Sequence, residues 1–163
     1  MNLAKLNEME CDQFVAILGE IFEGTPAIAQ QSWHQRPFNT VEALHQCMVE
    51  VMNGMTVDEQ MMLTRSHPDL GSKAIMADVS VKEQAGVGLD QLTLEEYQQF
   101  QGLNQAYQER FGFPFIVAVR NHTKASIREA FQTRLKNSVE AEREQALAEI
   151  GQIARFRLNE MLG

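Results

Sequence analysis

Positive charge is in short supply in this 163-residue sequence. Its 14 lysines and arginines stand against 22 aspartates and glutamates, a formal charge of −8. No basic cluster offsets the deficit, which argues against a nucleic-acid partner, since a phosphate backbone needs a basic face. Cysteine is scarce too. Cys11 and Cys47 are the two present, and neither lies in a CxxC or other ligand spacing. They read more readily as buried thiols of a reducing compartment than as a disulfide. No apolar run approaches the length of a membrane span. The opening MNLAKLNEMECDQF lacks a signal-peptide core, and the closing NEMLG carries no peroxisomal address. The expectation is a soluble cytoplasmic protein with no membrane partner. Four histidines occur, none paired at zincin-like spacing, so no metal is expected.

What remains is an ordinary globular composition, 44% hydrophobic and 22% charged. The length suits one domain over 1–163 with a real core.

Helical periodicity dominates. Phe14, Val15, Leu18, Ile21 and Phe22 share a face, and Gly24 ends that segment. Pro26 can start a short helix running to Trp33. Thr40 reads as an N-cap before the stripe Leu44, Cys47, Met48, Val51 and Met52, and Asn53-Gly54 as a stop. Thr56 with Glu59, and Thr93 with Glu96, have capping-box spacing. Leu94, Tyr97, Phe100, Leu103 and Tyr107 follow the second box until Gly112. Thr123 and Ser138 can cap the last two helices, and the final stripe is Leu147, Ile150, Ile153, Ala154, Leu158 and Met161. Ser66 to Val87 is irregular. Five of the nine methionines lie between Met48 and Met62 and suggest an adaptable core. The predicted fold is all-α, a single-domain irregular bundle of about seven to eight helices.

One segment breaks the helical pattern. Residues 114–120, PFIVAVR, are aliphatic and β-branched, as a buried strand is, yet no second strand is evident. If the segment is extended, its backbone groups need helix ends, water or a ligand as partners. The alternative is a buried helix start or connector, which the sequence weighs about equally with the ligand reading.

Three residues stand out as candidates for chemistry. His67 lies in RSHPDLG, where Pro68 disfavours helix and fixes the following φ. An imidazole held there can act as acid or base, but Pro-Asp with a nearby Gly is ordinary turn chemistry, and this string alone favours the turn. Glu83 closes the box Ser80-Val81-Lys82-Glu83. It either caps its helix or stands beside His67 and favours the charged imidazole. Arg157 falls on the apolar stripe of the last helix. It can snorkel, pair with a buried carboxylate, or hold an anionic substrate with its planar fork. His45 reads as partly buried, His34 as the end of a short helix, and His122 as a loop residue.

The strings SHPDLG, SVKEQAG, FQGLNQAYQERFGFPFIVAVRN and IARFRL stand here in the order and spacing of one family. The chain resembles, over essentially its whole length, the 2-oxo-4-hydroxy-4-carboxy-5-ureidoimidazoline (OHCU) decarboxylases. The resemblance implies an all-α, cofactor-free homodimer that converts OHCU to (S)-allantoin and carbon dioxide in urate breakdown. It places the active histidine at His67, with Glu83 and Arg157 as catalytic partners. Substrate contacts fall on Pro68, on Ser80, Val81, Lys82, Glu83 and Gln84, and on the backbone of Phe115, Ile116, Val117, Ala118 and Val119.

Two other classes compete with this enzyme. A helical binding module needs a large exposed apolar stripe, and here the stripes are taken up by the core. A metal-dependent hydrolase needs His67, Asp69 and Glu83 as ligands, and the His67–Asp69 spacing makes joint ligation awkward.

Overall fold

Threonine caps set the helical frame. In the computed structural model, which describes residues 1–71 and 78–163 and only the backbone of 78–81, the caps predicted at Thr40, Thr56, Thr93, Thr123 and Ser138 are found. Thr40 accepts from Ala43 N to open α4 (Val41–Asn53). Thr56 and Glu59 close a full capping box on α5 (Val57–Arg65), as Thr93 and Glu96 do on α7 (Leu94–Phe111). Thr123 pairs reciprocally with Ser126 to open α8 (Lys124–Arg134). Ser138 accepts from Ala141 N at 3.1 Å, at the start of α9 (Val139–Leu162). Each cap satisfies donors that the first helical turn leaves open.

The remaining helices are α1 (Leu3–Glu8), α2 (Cys11–Leu18), α3 (Pro26–Trp33) and α6 (Asp78–Gly86). The described residues therefore hold nine α-helices and no strand, all-α as predicted. The helix not anticipated is α1, a six-residue element capped by Asn2. The structure also shortens α2, which ends at Leu18, so Ile21 and Phe22 are buried from the turns that follow rather than from a helix face.

The chain forms two compact units. One comprises Met1–Ser66 with Gly151–Gly163. Within it α3 packs on α2 and on α4, and Phe14, Leu18, Ile28, Leu44, Met48 and Leu158 are fully buried. Met48 and Met52 belong to this core, whereas Met62 is 70% exposed, so the methionine run is only partly core. Cys11 and Cys47 are free and half-buried rather than buried, and burial pushes the Cys47 thiol up.

The second unit is His67–Ile150, built on aromatic packing. Phe115 stacks on Phe131 with centroids 3.8 Å apart, and Tyr107 meets Phe115 edge-on at 5.3 Å. Its stripe on α7 is Phe100, Asn104, Tyr107 and Phe111, whereas Leu94, at the helix start, is 73% exposed. On α9 the buried positions are Glu142, Ala146, Ile150 and Gly151, then Ala154, Arg157 and Leu158. Leu147 and Ile153 are half-buried and Met161 is exposed, so the true stripe is rotated from the predicted one and includes two charges.

Candidate active site

His67 follows directly on the last turn of α5, whose C-cap is Ser66. Pro68 prevents the helix from continuing, so the imidazole is carried on a loop, and it is buried there at 8% exposure. Two bonds fix the far end of that loop. Asn104 Nδ2 on α7 donates to Leu70 O at 2.9 Å, and Gly71 N donates to the Gln84 side-chain oxygen on α6 at 3.0 Å. Gly71 has φ +69°, a backbone conformation that favours glycine, and a Cβ there would press on Leu92 Cδ1 at 2.8 Å and make that side chain shift.

Asp69 points to a separate environment. Burial pushes its carboxyl up, partly opposed by a hydrogen bond from Gln108. Its Oδ1 and the Asn104 Oδ1 are buried acceptors without a hydrogen-bond partner among the described residues. Both residues line a cleft of about 300 Å³ with Tyr97, Gln101 and Gln108. His67 and Glu83 are not among its walls.

α6 presents Gln84 buried, Glu83 half-buried and Lys82 exposed. Its helical backbone begins at Asp78, so Ser80 lies inside the helix and is not its N-cap. The capping-box reading of Ser80 and Glu83 is thereby corrected. The side chains of Ser80 and Val81, two predicted substrate contacts, lie outside the described residues.

The aliphatic segment is a buried connector, not a strand. Gly112 ends α7 in the left-handed region at φ +78°, and Phe113 to Val119 are then buried without a break. A 3₁₀ turn over Val119–Asn121 follows, and α6 packs against it. Among the described residues, three hydrogen bonds use the backbone of 115–119. Arg134 Nη1 donates to Ile116 O at 2.6 Å, and Asn121 N and His122 N donate to Ala118 O and Val119 O at 3.0 Å. The N–H groups of Phe115, Ile116, Val117 and Ala118 enter none of them.

The second unit therefore holds the His67 loop, the Glu83 helix and the 115–119 backbone. Arg157 belongs to the other unit. Its Nη1 donates to Glu23 Oε2 at 3.0 Å and to Glu20 O and Ile21 O at 3.2 Å. Of the alternatives the sequence left open for Arg157, the buried carboxylate partner is found. Glu23 was missed, although it follows Ile21 and Phe22 on an apolar run. The other histidines are structural. His45 is buried, and its Nε2 lies 2.8 Å from Gly151 O, a satisfied core position. His122 Nδ1 lies 2.9 Å from Ser126 Oγ, and His34 packs edge-on to Trp33. No three His, Cys, Asp or Glu side chains among the described residues are placed to share a metal.

Sequence reasoning also missed a buried ionic network. Glu142 is fully enclosed. Its Oε1 accepts from Arg134 Nε at 2.8 Å and Tyr107 OH at 2.6 Å, and its Oε2 accepts from Asn137 Nδ2 at 2.9 Å. The signal was present: Arg134 continues the buried Ile127 and Phe131 face, and Glu142 precedes Ala146 and Ile150 at helical spacing. Burial and the Glu142 carboxylate push the Tyr107 hydroxyl far up.

These features define an all-helical protein with a histidine held on a proline-fixed loop and a buried connector rich in unspent backbone donors. A family model described as OHCU decarboxylase matches residues 7–159. An OHCU decarboxylase of Halalkalicoccus jeotgali is 37% identical over 99% of this chain and 92% of its own length. Its counterpart in Haloferax volcanii is 39% identical over 98% and 95%. The uric acid degradation bifunctional protein PucL of Bacillus subtilis is 43% identical over 96% of this chain, which spans 32% of that longer protein. A crystal structure of (S)-allantoin synthase superposes with a TM-score of 0.81 at 27% identity, over 99% of this chain and 54% of that one. The chain belongs to the OHCU decarboxylase family, and is accordingly a carboxy-lyase.

Proposed function

We propose that this protein converts OHCU to (S)-allantoin and carbon dioxide in urate breakdown, without a cofactor, as a cytoplasmic homodimer. The observation that carries the reading is the buried connector 115–119, whose N–H groups are not spent on helix or sheet. OHCU is an anion rich in amide-like oxygens, and such donors match it. A buried polar backbone without partners is costly, and substrate atoms relieve that cost.

His67 is the acid–base group. Loss of carbon dioxide moves the released electron pair into the ring as an enol. The hydroxyl-bearing carbon becomes the carbonyl of allantoin as its O–H proton leaves, and the neighbouring ureido-bearing carbon takes up the proton that makes it the stereocentre. His67 either supplies that proton or first removes the proton of the substrate hydroxyl. Glu83, on a helix tied to the His67 loop through Gln84 and Gly71, acts beside it. Delivery from one face gives one enantiomer. A poorly solvated substrate carboxylate speeds the cleavage, and the buried surroundings of His67 suit that. Pro68 and the 80–84 stretch complete the substrate contacts. The role of Arg157 as a substrate-binding cation rests on the family resemblance, since in its own unit it is paired with Glu23. The family match runs across both units, which supports treating 1–163 as one functional domain.

The test is turnover of OHCU generated fresh from urate, followed by circular dichroism in the presence of a chelator. Optically active allantoin is expected. Racemic allantoin appearing no faster than in buffer overturns the proposal.

A further inference from the structure

Arg134 lies on α8, and its guanidinium reaches the connector rather than solvent. Three contacts fix it. Nε donates to Glu142 Oε1 at 2.8 Å, Nη1 donates to Ile116 O at 2.6 Å, and the guanidinium carbon sits 4.3 Å from the Phe115 ring centroid. The carboxylate that orients it is itself held by Tyr107 and Asn137. A planar guanidinium held at both ends by bonds involving charged groups has little freedom to turn.

The consequence passes through peptide geometry. The Ile116–Val117 peptide is trans and planar, so its C=O and N–H point in opposite directions. Fixing the Ile116 oxygen on Arg134 therefore turns the Val117 N–H away from α8. A flipped peptide loses the Arg134 bond and brings an N–H against a cation. Accepting a bond from a charged donor also polarises the peptide, which strengthens the opposite N–H as a donor.

We infer that Arg134 is a positioning residue: it locks the Ile116–Val117 peptide so that the Val117 N–H donates to the bound substrate. The Tyr107–Glu142–Asn137 cluster is the support that holds Arg134 in register. This inference rests on the decarboxylase reading and adds to it a residue that need not touch substrate.

The experiment is a double-mutant cycle on the full-length protein. One change is Arg134→Lys, which keeps the charge and loses the fork. The other is an amide-to-ester replacement at Val117, which deletes its N–H and also weakens the Ile116 oxygen as an acceptor. Rates are taken per folded molecule, with the folded fraction set by far-UV circular dichroism. The ester is expected to lower kcat/KM about 100-fold, the scale on which a backbone-type donor acts at a reacting centre. Arg134→Lys is expected to lower it about 10-fold or more, and the doubly changed protein to be no slower than the ester alone. Losses that multiply, or an Arg134→Lys protein as fast as wild type, overturn the positioning role. Wild-type protein that leaves OHCU at the buffer rate overturns the decarboxylase reading instead, before any variant is compared.

Discussion

Arg157 and Glu23 form a buried ion pair, Nη1 to Oε2 at 3.0 Å, with both side chains almost wholly enclosed. The same nitrogen satisfies the carbonyls of Glu20 and Ile21, in the irregular stretch after α2. One guanidinium on α9 thus organises a turn more than a hundred residues away in sequence.

Removing Glu23 takes the carboxylate away from that buried cation. Glu23→Ala is expected to cost about 3–5 kcal/mol, the scale for breaking a buried pair from one side. Glu23→Gln keeps an acceptor and is expected to cost less. Urea unfolding of the three proteins checks the order; equal stabilities show the pair to be incidental.

At His67 the expectation is the reverse. His67→Ala should lower turnover of OHCU by about 10²–10⁴, the range for losing a general acid or base. Melting temperature and helical signal should change little, because the backbone of the loop is held through Leu70 and Gly71. A marked loss of stability with activity retained identifies His67 as a turn residue.

Tyr107 gives a pH prediction. Its hydroxyl is pushed far above the ordinary value of 10.0, first by burial and then by its bond to Glu142. The folded protein therefore keeps a proton that the unfolded chain releases above pH 10. The Tyr107 contribution is fully present below that pH and is lost as pH rises further, at about 1.4 kcal/mol per pH unit. Tyr107→Phe should remove this extra alkaline slope. At neutral pH it should cost about 1–3 kcal/mol, because enclosed Glu142 loses a donor. Unfolding by urea at pH 7 and above pH 10 measures both effects, and an unchanged slope disproves the assignment.

Asp69 carries the opposite liability at neutral pH. Burial raises its carboxyl above the ordinary 3.8, so the folded state prefers the protonated form. The associated stability is present below pH 3.8 and is lost as pH rises through the raised value. Asp69→Asn should therefore be more stable relative to wild type at pH 7 than at pH 3. A difference that does not change between the two pH values rules this out.

Much of the helical frame was legible locally. Thr40, Thr56, Thr93 and Thr123 announce helix starts because a cap is settled within three residues of itself. Pro26 and Gly112 mark boundaries for equally local reasons. Ser80 failed because a serine three residues before a glutamate also fits within a helix.

The sequence by itself determined the all-α class, most of the helix boundaries and a histidine held off its helix by Pro68. The order of its motifs carried the family resemblance. Only the tertiary structure decided what the charged residues do. Arg157 meets Glu23, and Arg134 meets Glu142 and Ile116 O, across long sequence separations in the first case and across two helices and a connector in the second. Periodicity reports which face of a helix is buried, not which buried face it meets. The partner of a charge is fixed by three-dimensional packing, where a low dielectric makes an unpaired ion costly and selects the arrangement that pairs it.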